Sequence, residues 1–131
     1  DARVTVAAFL GAPDATTISF GANMTTLNYS LSRAIGKMLE PGDEVVITEL
    51  DHEANRGPWL GLREHGVVVR EAAVRNNATL DYEDFRHMIN SKTKLVAMGL
   101  ASNAFGTVND VRRIRDITHP FGSLLLADAV H

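Results

Sequence analysis

The chain has 131 residues, of which 45% are hydrophobic and 22% are charged, and its formal net charge is -3 at pH 7. The length suffices for one domain with a core, while the weak, dispersed charge and the lack of an apolar run of roughly 20 residues argue against nucleic-acid partners and membrane spans. The absence of cysteine excludes disulfides, thiolate metal sites and a cysteine nucleophile within these residues, and it fits the cytoplasmic location that we expect.

The chain opens with two predicted helices that flank a short predicted strand. Val4–Leu10 has helical spacing and is followed by glycine, which is typical of the end of a helix. Thr16–Phe20 is rich in strand-forming residues, and Met24–Leu39 carries apolar residues at intervals of three and four, which predicts an amphipathic helix. A helix that follows a strand and a tight turn presents free backbone N–H groups to an anion. Thr25 and Thr26 add hydroxyl groups there, although an ordinary capped helix start would look the same.

The rest of the chain alternates predicted strands and helices. We predict strands at 44–48, from 67 onward, at 94–98 and at 122–131, and helices from Pro58-Trp59 to about Glu64, over 81–89 and from 111 to about 119. Asp81, and either Asn109 or Asp110, are the expected caps of the last two helices. The last strand has an unbroken apolar run and is expected to be buried on both faces. This alternation predicts an α/β fold with three layers, α/β/α, around a mainly parallel sheet.

Polar side chains follow the predicted strands at their carboxyl ends, the edge at which open α/β sheets bind ligands. Asp128 and His131 come at the last strand, His52 follows the strand at 44–48, and Ser102 and Asn103 follow the strand at 94–98. Taken singly, Asp128 can merely cap a turn, and a lone histidine in a loop is more often structural or solvated. With the helix start described above, the set offers an anion cradle, an imidazole, an amide and a carboxylate. These are the groups that a pyridoxal phosphate site requires.

Three longer motifs contain these residues, and they read ITELDHEANRGPW at 47–59, ASNAFGTVN at 101–109 and LADAVH at 126–131. In order and separation they resemble the class V aminotransferase family of fold type I pyridoxal phosphate enzymes, most closely its cysteine desulfurase and selenocysteine lyase-like branch. The resemblance implies an enzyme that acts on an amino acid such as cysteine and eliminates or transfers sulfur or selenium. It also implies that His52, the candidate catalytic residue, stacks on the pyridoxal ring. Asn103 would bond the 3-hydroxyl oxygen of that ring, and Asp128 would pair with its nitrogen.

The resemblance assigns three further residues to the cofactor, and two positions depart from the family's usual pattern. Met24 and Thr25 are expected at the phosphate, and His131 near the 3-hydroxyl group. His131 stands where glutamine is usual, and the phosphate turn reads Asn23-Met24-Thr25 in place of Gly-Thr-Thr. Because a methionine side chain cannot donate a hydrogen bond, Met24 can hold a phosphate only through its backbone N–H.

The resemblance covers nearly the whole chain but only the central part of the family's large domain. The start, Asp1-Ala2-Arg3-Val4, lacks an initiator methionine and a signal-peptide pattern, so we expect the chain to begin inside a longer protein or after processing. The family's Schiff-base lysine, its small domain and any catalytic cysteine would lie downstream, and Lys37, Lys92 and Lys94 are the only lysines here. We therefore expect residues 1–131 to form one partial domain, inactive by itself. Its parent is expected to be a homodimer that can pass sulfur to an acceptor.

Other interpretations stay open on the residues alone. Within the family, the reaction can be that of an aminotransferase, a lyase or an epimerase. From another class, the chain can be a non-catalytic α/β binding domain whose polar edge is vestigial. A dinucleotide-binding domain is disfavoured because the turn at 21–26 lacks the second and third glycines of that fingerprint, and no spacing supports a metal site.

Overall fold

Four parallel strands form one sheet in the computed structural model, which describes all residues from 1 to 131. The strands are β1 (Glu44–Thr48), β2 (Val68–Ala72), β3 (Thr93–Gly99) and β4 (Leu124–Asp128). Their order across the sheet is β2-β1-β3-β4. Because every neighbouring pair is parallel, the four carboxyl ends meet at one edge, where Gly99 of one strand lies opposite Asp128 of the next.

Five helices accompany the sheet. None of them has the length and apolar character needed to cross a bilayer. Short 3₁₀ turns complete the regular structure at Ala15–Thr17, Gly61–His65 and His119–Phe121. The helices are α1 (Ala2–Leu10), α2 (Met24–Gly36), α3 (Glu53–Leu60), α4 (Tyr82–Met88) and α5 (Val111–Thr118).

A side chain caps the amino end of each of these helices. The capping residue accepts a hydrogen bond from a backbone N–H of the first turn, which would otherwise lack a partner. Asp81 is confirmed as the cap of α4. Of the two residues predicted as candidates for the cap of α5, Asn109 and Asp110, the aspartate is the cap. The five caps are Asp1, Asn23, His52, Asp81 and Asp110.

Alternate residues of the central strands point to two separate cores. Val45 and Ile47 pack with Trp59 on one face of β1, the side covered by α2 and α3. Val46 packs with Phe85 on the other face, the side covered by α4 and α5. Each large apolar side chain buried in this way contributes about 1.5–3 kcal/mol to stability. The predicted three-layer α/β/α architecture with a mainly parallel sheet is therefore confirmed.

Three predicted elements differ from the structure. Thr16–Phe20 is not a strand: it starts in a 3₁₀ turn, because the Asp14 carboxylate accepts from the Thr16 N–H at 2.6 Å and from the Thr16 hydroxyl, and no strand pairs with it. The helix predicted from Pro58 begins earlier, at Glu53, with proline inside it. β4 is the edge strand of the sheet and is not buried on both faces, since Leu124 is 56% exposed.

Candidate functional site

A cavity of about 370 Å³ opens where the carboxyl ends of β1, β3 and β4 face the amino end of α2. Its volume falls within the range of about 300–1,000 Å³ that is typical of small-molecule sites. The structure brings to this cavity all six residues that the family resemblance assigns to the cofactor, although 107 positions of chain separate the first from the last. They are Met24, Thr25, His52, Asn103, Asp128 and His131.

The amino end of α2 provides the anion-binding part of the cavity. Asn23 caps the helix, and its side chain accepts from the Thr26 N–H at 2.9 Å. The N–H groups of Met24 and Thr25, the first two helical residues, have no partner within the helix. They point, with the positive end of the helix dipole, toward any anion held there. Thr26 itself does not line the cavity, so the expectation that its hydroxyl contributes is not met.

His52 belongs both to the cavity and to the start of α3. Its imidazole Nδ1 accepts a hydrogen bond from the Ala54 N–H at 3.1 Å, which makes it the N-cap of the helix. A nitrogen that accepts a hydrogen bond carries no proton, so in the neutral ring the proton is on Nε2. The cap therefore fixes the tautomer and the orientation of the ring before any ligand is present.

Asp128 is the last residue of β4 and has two roles. Its Oδ1 accepts from the Val130 N–H at 3.2 Å, so it does cap the turn that follows the strand. It also lines the cavity, and its backbone carbonyl accepts from the Leu100 N–H at 2.7 Å. The capping role and the binding role proposed for this carboxylate are compatible, because the second carboxylate oxygen is not used by the turn.

A tight hairpin-like turn presents Asn103 to the cavity. The Ser102 N–H donates to the Thr107 carbonyl at 2.9 Å, and Ala101 and Val108 form an isolated antiparallel bridge. Ser102 is itself buried, and its hydroxyl oxygen accepts from two backbone N–H groups of the turn. It does not line the cavity, so this serine shapes the turn and the neighbouring asparagine faces the site.

Asp51 is a residue of the cavity wall that the sequence analysis missed. It accepts from the Thr48 hydroxyl at 2.8 Å and from the Gly99 N–H on the neighbouring strand. Partial burial raises the pKa of the Asp51 carboxyl, and the negative charge of Asp128 acts in the same direction. The available signal was an acidic residue three positions after a buried strand, next to His52.

Asn28 joins the helices that carry the two halves of the site. Its side-chain N–H₂ donates to the Ala54 carbonyl at 3.0 Å and to the Asn55 Oδ1 at 2.9 Å. The residue four positions after Ala54 is Pro58, which has no N–H to offer that carbonyl. Asn28 therefore takes the place of the missing helical donor and ties α2 to α3.

The motifs and the geometry agree with comparisons to known proteins. The family model described as "Aminotransferase class-V" matches residues 1–131. The chain belongs to this family. A probable cysteine desulfurase of Mycolicibacterium paratuberculosis is 39% identical over 130 residues, which are 98% of this chain and 19% of that protein. The aminotransferase-like protein FGM3 of Gibberella zeae is 37% identical over 121 residues, 86% of this chain and 29% of that protein.

Solved structures show the same fold in this family. The cysteine desulfurase CsdA of Escherichia coli superposes with a TM-score of 0.90 and 28% sequence identity, over 97% of this chain and 32% of that one. The class V chain described here spans only 19–32% of the length of its curated relatives.

The residues of the cavity fit the cofactor that the class V family implies. The unpaired N–H groups of α2 suit a phosphate, and a carboxylate, an imidazole and an amide line the same space. No lysine lines the cavity. The donor set therefore matches the non-covalent contacts of pyridoxal phosphate.

Proposed function

We propose that this chain is part of the pyridoxal phosphate-binding domain of a longer cysteine desulfurase-like enzyme. The observation that carries the proposal is the convergence of six candidate residues, from four separate parts of the chain, on one cavity at the carboxyl edge of the sheet. Relatives named as cysteine desulfurases support this choice of reaction. When bound, pyridoxal phosphate acts as an electron sink for bonds broken at an amino-acid substrate.

Three residues are assigned to the anionic and polar ends of the cofactor. Met24 and Thr25 hold the phosphate through their backbone N–H groups, as the methionine side chain cannot donate. Asp128 faces the ring nitrogen. A carboxylate about 4 Å from a pyridinium, at an effective dielectric of ~20, contributes roughly 4 kcal/mol, which corresponds to about a 1,000-fold preference for the protonated ring.

Three residues are assigned to the face and the 3-hydroxyl side of the ring. His52 stacks on the ring face and holds a proton on Nε2, where it can be exchanged with a bound substrate. Asn103 donates to the 3-hydroxyl oxygen, and His131 lies beside the same group. The imidazole is already held by its capping bond, so little ordering is needed when the ring binds.

The lysine that binds the cofactor covalently in this family is assigned to another part of the parent protein. Lys37, Lys92 and Lys94 are the lysines of this chain, and none of them lines the cavity. A catalytic cysteine is likewise assigned to another part, because these 131 residues contain no cysteine. The homodimer, the sulfur acceptor and the cytoplasmic location stay predictions for the parent protein.

The proposal is tested on the full-length protein that carries these residues. We expect it to take up pyridoxal phosphate, with visible absorbance, and to release alanine and sulfur from cysteine. Asp128→Ala should weaken cofactor binding by about 10- to 1,000-fold, the upper figure being the full charge interaction. Asp116→Ala, at a carboxylate that is 66% exposed and paired only with Arg115, is the matched control and should bind normally.

Two results would contradict the proposal. A colourless protein that takes up no pyridoxal phosphate would remove the enzyme assignment. If Asp128→Ala bound the cofactor as tightly as the native protein, the polar edge would be vestigial, as in the alternative of a non-catalytic binding domain.

Aminotransferase activity is the second candidate, because the relative FGM3 is named aminotransferase-like. The two reactions differ in their products from cysteine. A desulfurase leaves alanine and transferable sulfur, whereas an aminotransferase leaves a keto acid and moves the amino group to an acceptor. Amino-acid and keto-acid analysis of one reaction mixture separates them.

A further inference from the structure

The Asp51 carboxylate accepts a backbone hydrogen bond from β3 beyond the point where β1 ends. Its Oδ1 accepts from the Gly99 N–H at the end of β3, and its Oδ2 accepts from the Thr48 hydroxyl at 2.8 Å. Since β1 stops at Thr48, no residue of that strand is left to accept the N–H of Gly99 from that side. The carboxylate thus extends the β1–β3 contact to the rim of the cavity.

Gly99 is shaped to receive this carboxylate. A Cβ atom at this position would lie 2.6 Å from the Asp51 Oδ1, so a side chain here would force that carboxylate to move. The carbonyl of Gly99 is held as well, since it accepts from the Asn109 side-chain N–H₂ at 2.8 Å. The end of β3 is therefore fixed by two side chains, the Asp51 carboxylate at the Gly99 N–H and the Asn109 amide at the Gly99 carbonyl.

The fixed end of β3 in turn holds Asp128. Gly99 lies opposite Asp128 in the β3–β4 register, and the Leu100 N–H donates to the Asp128 carbonyl at 2.7 Å. Asn109 also donates its backbone N–H to the Leu100 carbonyl at 2.9 Å. The chain of contacts runs from Asp51 through Gly99 and Leu100 to the backbone of the residue that we assign to the ring nitrogen.

We propose that Asp51 is a positioning residue for the cofactor site, which holds the Gly99–Leu100 end of β3 and, through it, Asp128. The inference rests on the proposed function, since it names how the ring-nitrogen partner is kept in place. Asp51 acts through the hydrogen bond that its carboxylate oxygen accepts. An amide oxygen at the same position can accept the same bond.

The test uses the full-length protein and pyridoxine 5′-phosphate, an analogue with an alcohol in place of the aldehyde, so that binding needs no lysine. Asp51→Ala should bind the analogue about tenfold or more weakly, since it loses a bond to a buried N–H. Asp51→Asn should stay within about threefold of the native protein, because its amide oxygen replaces the acceptor. Asp116→Asn makes the same chemical change at an exposed carboxylate and should bind as the native protein does.

Hydrogen exchange of the cofactor-free protein gives a second measurement that does not depend on binding. In Asp51→Ala, the amides of Gly99 and Leu100 should exchange faster, while Asp51→Asn should protect them as the native residue does. Equal affinity of Asp51→Ala and the native protein would overturn the inference. So would an equal loss in both Asp51 variants, because the charge and not the accepted bond would then be responsible.

Failure of the two proposals can be told apart. If the native protein binds neither pyridoxal phosphate nor the analogue, the proposed function fails and the inference falls with it. If the native protein binds both and Asp51→Ala binds them equally well, the inference alone fails. A merely structural Asp51 would lower the melting temperature of Asp51→Ala while its folded fraction bound the analogue normally.

Discussion

Replacing Asn28 by alanine tests the join between the two helices that carry the candidate site. Asn28 and Asn55 are buried, with 5% and 0% of their surface exposed. The substitution removes two hydrogen bonds, one to the Ala54 carbonyl and one to the Asn55 side chain. It leaves two acceptors without their donor, and Pro58 cannot supply the first of them.

The size of the effect follows from these lost partners. A buried acceptor left unpaired costs about 1–3 kcal/mol, and two are created here. One opposing contribution is present, because the Oδ1 of Asn28 is buried without a partner and its removal relieves a similar cost. The free energy of local unfolding that separates α3 from α2 should therefore fall by about 1–3 kcal/mol.

Native-state hydrogen exchange on the full-length protein measures this local free energy. Amides in the first turns of α3 should exchange about 5- to 150-fold faster in Asn28→Ala, which is the same energy expressed as a rate ratio. Asn76→Ala makes the same change in an exposed loop and is the matched control.

The same Asn28→Ala substitution in a Pro58→Ala protein tests whether the missing helical donor is the cause. Pro58→Ala restores an N–H four residues after Ala54, so the carbonyl regains a helical donor. In that background, Asn28→Ala should cost about 1 kcal/mol less than in the native sequence, which is a coupling that a double-mutant cycle detects. Equal penalties in the two backgrounds, or unchanged exchange in Asn28→Ala, would refute the argument that Asn28 replaces the missing donor.

Three further predictions concern stability. Trp59→Ala, at a fully buried side chain, should lower the free energy of unfolding of the domain by about 3–5 kcal/mol, measured by denaturant titration. Asp51→Asn should raise the melting temperature at pH 7, because the raised pKa of Asp51 means that ionisation of its carboxyl lowers the stability of the native protein. This gain in melting temperature should shrink as pH falls through that pKa. A gain that does not change with pH would contradict the prediction. Arg75 lowers the pKa of Asp81 to about 2, so the contribution of this cap is present above the usual value of 3.8 and lost as pH falls toward about 2. Circular dichroism against pH should show this loss in the native protein and not in Asp81→Asn.

The sequence predicted most of the fold because the pattern of each element is local. Glu44–Thr48 is a strand with the predicted bounds, and the helix at Tyr82–Met88 starts after the predicted aspartate. The prediction of a strand at Thr16–Phe20 was wrong, because a high strand propensity means that residues pack well in a sheet and does not provide a neighbouring strand to pair with. The prediction that a helix starts at Pro58 was wrong, because the proline is tolerated inside α3. Asn28, 26 residues before Ala54, donates to the Ala54 carbonyl that the proline leaves unpaired. That compensation is not visible in a local pattern.

The sequence predicted the six candidate residues that line the cavity but not Asp51, which holds the end of β3 beside them. A parallel sheet gathers the residues that follow its strands at one edge, so topology alone brought together the four candidates at the ends of β1, β3 and β4. Met24 and Thr25 reach the same edge at the start of α2, which follows no strand of the sheet. Asp51 shares that edge, but its partner is a backbone N–H 48 residues away, at a glycine whose missing side chain makes the contact possible. Neither residue carries a sign of the other in the sequence.

The residues of the cavity are also residues of the fold, and this limits how the site can vary. His52 caps α3, Asp128 caps the turn after β4, and the N–H groups offered by α2 are free only because Asn23 sets where that helix begins. A substitution at His52 therefore changes a helix end as well as a ligand contact. Because asparagine is a strong N-cap without an aromatic ring, His52→Asn separates these two duties, whereas His52→Ala removes both. The imidazole orientation is thus set by the same hydrogen bond that starts the helix, and the cavity is organised by folding itself.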